Sequence, residues 1–199
     1  MHSVRLTLAS LATGVFLKLY PTRQLEGIRV VFTDLEIDRD VGITRLKESL
    51  HVLGETDRLK YRQVLRYVRT IYVWAGHYSS ANPPESINLC SAHLMSSTQI
   101  ELASVLVHEA VHLRIARQGI RYEERLQERI ERRCIREQVS FLRKQGSKGV
   151  AMAAVFESAL NSPWWTDEAN QRDIERLVSD ARMPRWMIPV MGGRRARKS

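Results

Sequence analysis

Between Ile100 and Leu113 the chain sets Ile100, Leu102, Ala103, Val105, Leu106, Val107, Ala110, Val111 and Leu113 around nearly every side of a helix. Thr98-Gln99-Ile100-Glu101 is a T-x-x-E capping box, which marks the start of that helix. Gly119 is placed to stop it. A helix this apolar belongs inside a fold, with other elements packed around it. Yet it carries His108, Glu109 and His112. Buried polar groups are costly unless something satisfies them, so whatever packs on this helix has to supply partners for three of them.

A metal ion is the simplest partner. His108-Glu109-Ala110-Val111-His112 reads H-E-x-x-H. Residues four apart on a helix share a face, so two imidazoles can hold one divalent ion, and zinc accepts such nitrogen ligands. A glutamate directly after the first histidine can reach a metal-bound water as general base. Catalytic zinc takes three protein ligands and one water, so a third ligand is needed. The metzincin continuation needs Gly at 115 and His at 118, whereas this chain has Ile115 and Gln118. The search moves to Glu123, Glu124, Glu128, Glu131 and Glu137. A second helix is predicted from about Tyr122 to about Gln145, with Tyr122, Leu126, Ile130, Cys134 and Phe141 as its apolar stripe. Glu131 flanks Ile130 and Cys134 at the edge of that stripe, where a carboxylate can lean toward the first helix.

At this point the chain resembles the gluzincin branch of the zincin metallopeptidases. That branch adds a glutamate from the following helix to H-E-x-x-H, and in one subgroup eighteen residues intervene. Eighteen residues, Leu113 to Ile130, separate His112 from Glu131. The resemblance implies His108, His112 and Glu131 as ligands of one Zn2+ and Glu109 as general base. Glu128 is the runner-up ligand, followed by Glu137. The chain departs from the branch in two places: it has no G-A-M-E-N segment, and position 135 is Ile where thermolysin-like members keep an acid behind a histidine. The outer partner of the histidine is therefore not given by the resemblance. Tyr122, His77 and Tyr78 are candidates for holding the oxyanion, with Tyr122 taken as the catalytic one. Thr70–Ala75 and Ser86–Cys90 read as strands and Gly76–Glu85 as a loop. By resemblance, Ile87–Ala92 is the candidate cleft strand, whose backbone pairs with an extended peptide.

These readings lead to an α+β, mainly helical, zincin-like fold with a small sheet, in which the active-site helix packs on a glutamate-bearing helix. The 199 residues fit one domain, placed at residues 21–190. Residues 1–20 form an apolar segment, either a signal-like core or a docked helix, too short to span a bilayer. Residues 191–199 form a basic tail expected to be disordered. Ile28–Phe32 reads as a strand, and about 41–53, 58–68, 149–160 and 167–181 as helices, with Gly54 separating the first two. Trp164 and Trp165 lie at the break between the last two. With 31 Lys+Arg against 22 Asp+Glu, the surface suits an anionic partner through the tail, but no nucleic-acid motif is present. The Arg-rich stretch Arg114–Lys148 reads as a solvated helix face with Glu–Arg pairs. Cys90 and Cys134 do not make a disulfide framework, and Cys134 reads as a small buried core residue ahead of a metal ligand. The expected function is a zinc metallopeptidase acting on a peptide or protein substrate. The alternative is a non-catalytic zinc-containing binding protein that uses its basic surface for nucleic acid or a protein partner. The favoured location is cytoplasmic or membrane-peripheral, with secretion open through the N-terminal segment.

Overall fold

A computed structural model describes residues 20–76 and 78–160. The N-terminal apolar segment up to residue 19, His77, Trp164, Trp165, the 167–181 helix and the basic tail lie outside the described residues.

Apolar and β-branched runs make the strands. β1 (Thr22–Leu25) pairs antiparallel with β2 (Ile28–Phe32), which runs parallel to β3 (Thr70–Trp74). β3 is in turn parallel to β5 (Ser86–Cys90), with Ile71 opposite Ile87 and Val73 opposite Leu89. β4 (Ser80–Asn82) closes the sheet antiparallel to β5, giving the order β1-β2-β3-β5-β4. Val30, Phe32, Ile71, Val73, Ile87 and Leu89 are fully buried, so this sheet forms one wall of the core.

Six helices complete an α+β, mainly helical fold among the described residues. They are α1 (Arg39–Thr56), α2 (Arg58–Tyr67), α3 (Ser91–Ser96), α4 (Gln99–Arg117), α5 (Glu124–Leu142) and α6 (Gly146–Ala159). Each start has a chemical cause where a cap is present. Asp38 accepts from the N–H groups of Asp40 and Val41 at 3.0 and 3.1 Å, and Thr98 accepts from the Glu101 N–H at 3.2 Å. Gly119, at φ +80°, ends α4 in the left-handed region that glycine tolerates. α6 turns back onto the end of α5 so closely that a Cβ on Gly149 would lie 2.1 Å from the Leu142 carbonyl oxygen.

Several expectations need correction. Gly54 does not separate α1 from α2: it stays helical, and a Cβ there would lie 3.7 Å from the Tyr61 ring. The break comes at Asp57, whose carboxylate accepts from the Lys60 N–H and so caps α2. The stretch 76–85 is not all loop, because it holds β4. That placement makes Ile87–Ala92 interior rather than a cleft edge: β5 is paired on both sides, and Ser91 and Ala92 begin α3. The outer strand on this side is β4. Among the described residues, no helix is long and apolar enough to cross a membrane.

Candidate metal centre

α4 lies in the middle of the fold, between α1, α2, β4 and α5. Ten of its residues are buried, among them Leu102, Ala103, Leu106 and Leu113. Its apolar character fixes its place, and its place brings His108, Glu109 and His112 into the interior. α5 is amphipathic, and it turns Ile130, Glu131, Cys134, Ile135 and Gln138 inward.

The inward faces meet at the two histidines. Nε2 of His108 lies 3.3 Å from Oε2 of Glu131, and Nε2 of His112 lies 3.3 Å from Oε1 of the same carboxylate. The two Nε2 atoms are 3.1 Å apart. Three electron-pair donors thus converge on one point from two helices. Oε2 of Glu131 is buried and finds no hydrogen-bond partner among the described residues. The opposite nitrogen of His108, Nδ1, meets Oε1 of Gln138 at 3.1 Å. If Nδ1 carries the proton, Nε2 presents a lone pair to the carboxylate, and lone pairs this close repel unless a cation sits among them. The donor set fits a divalent metal of the zinc type: two imidazoles and one carboxylate, one of whose oxygens has no hydrogen-bond partner among the described residues.

The electrostatics point the same way. Burial pushes His108 down, but the carboxylates of Glu131 and Glu109 outweigh it and leave the imidazole above its ordinary range. Burial raises Glu131, yet the two imidazoles more than offset this and hold its carboxyl well below the ordinary range. A field that attracts a proton to His108 also attracts a metal cation. Glu109 behaves differently. Burial lifts its carboxyl, His108 and His112 lower it, Glu131 raises it, and a hydrogen bond from the Ala81 N–H of β4 lowers it, with a net rise. It is therefore a better proton acceptor than a surface glutamate.

Tyr122 sits on the connection between α4 and α5 and donates to Oε1 of Glu131 at 2.7 Å, with its ring edge-on to His112 at 5.8 Å between centroids. Tyr78 packs edge-on against Trp74 instead, at 5.9 Å. The two runner-up carboxylates are engaged elsewhere. Glu128 is exposed and pairs with Arg132 at 2.7 Å, while Glu137 pairs with Lys60, Arg114 and Arg133. Cys90 and Cys134 are both free thiols. Cys134 is fully buried against Val111 and Ile130, and with His108 and His112 it forms a group whose ligand atoms lie within 4.8 Å of one another. We favour Glu131 over Cys134 as third ligand, because its carboxylate meets both nitrogens at 3.3 Å and is anionic. Burial drives the Cys134 thiol far above the ordinary range, toward its neutral form.

Three participants escaped sequence reasoning. Ile135 is a core residue, and Gln138, one turn further along α5, faces His108 in its place. Gln138 also donates to Ser104 Oγ at 3.0 Å. The spacing was there to read: 131, 134, 135 and 138 share one helix face. Ala81, the third, carries no sequence signal, since its role comes from the tertiary placement of β4. No protein-family model, no curated protein and no solved structure matches this chain.

Proposed function

We propose that this protein is a zinc-dependent metallopeptidase. The observation that carries the reading is the convergence of His108 Nε2, His112 Nε2 and the Glu131 carboxylate from two helices, with Glu109 beside them. His108, His112 and Glu131 would hold one zinc ion. When bound, zinc supplies a Lewis acid that lowers the pKa of water toward neutrality and polarises a carbonyl. The chain's own residues do the rest. Glu109, tethered by the Ala81 N–H and raised in basicity by burial, takes the proton of the attacking water and returns it to the leaving amine. Tyr122, whose hydroxyl donates to Glu131 beside the two histidines, would be the donor to the carbonyl oxygen as charge develops there. β4, the outer strand beside α4, would offer an extended peptide what its edge keeps beyond the Ala81 N–H given to Glu109.

A small mixed sheet with an antiparallel outer strand, a buried H-E-x-x-H helix and a following glutamate-bearing helix support a zincin-like architecture. This support comes from the arrangement itself and not from likeness to any solved structure. The test combines metal analysis with peptide-library cleavage by the full chain and by Glu109→Gln. The expected result is about one zinc per chain in both proteins, with cleavage by the wild type alone. A zinc-loaded wild type that cleaves nothing, with Glu109→Gln behaving identically, would assign the ion to a non-catalytic binding protein.

A further inference from the structure

We propose that Gln138 is a positioning residue for His108, and that Ser104 sets the direction in which it works. This inference rests on the zinc reading above and names a part of the site that the metal-binding residues alone do not reveal.

The geometry is a three-step relay through the interior. The Ser104 hydroxyl donates to the Glu101 carbonyl oxygen at 2.7 Å, within α4. Gln138 Nε2 donates to Ser104 Oγ at 3.0 Å, and Gln138 Oε1 faces His108 Nδ1 at 3.1 Å. Ser104 is fully buried and Gln138 is 2% exposed, so water does not compete. A glutamine side chain has a donor end and an acceptor end, and its neighbours decide which end points where. The single hydroxyl proton of Ser104 is committed to a backbone carbonyl. Its oxygen therefore presents lone pairs, and the Gln138 NH2 must face them. That leaves Oε1 toward His108, so Nδ1 carries the hydrogen and Nε2 turns its lone pair to Glu131 and His112. Histidines that bind metals almost always donate their other N–H to such a partner, which fixes both tautomer and ring orientation.

The relay is electrically neutral, and this matters beside Glu109 and Glu131. A carboxylate at the same place would add a third negative charge to a buried site. An amide sets the tautomer without that charge, but only while something fixes its orientation. The dependence on Ser104 follows directly.

The test measures zinc affinity of the full chain by chelator competition, alongside histidine nitrogen shifts by NMR in the zinc-loaded protein. Gln138→Leu should weaken zinc about 10- to 100-fold and shift His108 away from a single Nδ1–H tautomer. Ser104→Ala should give a smaller loss with the same tautomer mixing, because the amide is then free to turn. Gln138→Glu should restore affinity, since a carboxylate accepts at either oxygen, and adding Ser104→Ala to it should then cost nothing further. This last comparison still decides if Gln138→Leu does not fold. Wild-type zinc binding with unchanged affinity and tautomer in Gln138→Leu overturns the inference and leaves the zinc site standing. So does an equal loss from Ser104→Ala with and without Gln138→Glu, which marks simple packing. A wild type that binds no zinc overturns the zinc reading itself, and the inference with it.

Discussion

Glu131 and Cys134 occupy successive turns of one helix face, and both lie close to the histidine pair, yet their chemistry separates them. Glu131 carries a charge, an orphaned oxygen and two 3.3 Å contacts to imidazole nitrogens. Cys134 is a neutral thiol in an apolar setting. Glu131→Gln is therefore expected to abolish stoichiometric zinc at concentrations that saturate the wild type. Cys134→Ala should keep the metal and lose about 1 kcal/mol of stability through the small void it leaves. Cobalt substitution gives a direct check: a thiolate-to-cobalt absorption band in the wild type, lost in Cys134→Ala, would reverse the assignment. Tyr122 makes a second residue-level case. Its hydroxyl bonds Glu131, and the residue is 45% exposed on the connection between α4 and α5, which places it at the open side of the site. Tyr122→Phe should lower kcat about 100-fold with KM nearly unchanged, as for other lost oxyanion donors.

Between elements, the charges that lock the helices are as informative as the apolar contacts. Glu137 on α5 meets Lys60 of α2 at 2.5 Å and Arg114 of α4 at 3.4 Å, so one carboxylate ties three helices. Burial raises the Glu137 carboxyl, but Lys60 and Arg114 outweigh it and the net shift is downward. A carboxylate whose folded-state pKa lies below its unfolded value stabilises the fold above the unfolded pKa, and the benefit is lost as pH falls through the folded pKa. Glu137→Gln should cost about 3 kcal/mol at neutral pH, because it leaves Lys60 buried without its counter-charge. Urea melts of wild type and variant should converge as pH drops below the ordinary carboxylate range; a gap that stays constant with pH would refute the ionic account. The same elements show what a linear reading can see. α4 and α5 were legible because helical periodicity, a Thr98 cap and Gly119 all agree. β4 was not, since Ser80-Ala81-Asn82 holds no apolar run and becomes a strand only by pairing with β5. Gly54 misled because helix-breaking is only a local tendency: α1 runs through it to Thr56 and ends at Asp57. The site divides along the same line. His108, Glu109, His112 and Glu131 are set by spacing along two helices. The Gln138 and Ala81 contacts depend on how helix meets helix and helix meets strand.

At the scale of the whole molecule, the proposed ion joins the central helix α4 to α5, and α5 in turn carries α6. Zinc binding and folding should therefore be coupled, because the unfolded chain does not hold these ligands together. At a free zinc concentration about 100 times Kd, mass action adds about 2.7 kcal/mol to the folded state. For a chain of this size that corresponds to a rise in Tm of about 5–10 °C. Chelation should lower Tm by that amount in the wild type and equally in Glu109→Gln, whose base lies outside the three-ligand set. Glu131→Gln should show almost no chelator effect, since its site is already broken. The set separates two roles that a single activity assay confuses. If Glu109→Gln lost both the thermal shift and cleavage, Glu109 would be a structural part of the metal site and not its base. An intact thermal shift with no cleavage would place the buried Glu109 on the chemistry, as proposed, and not on the metal.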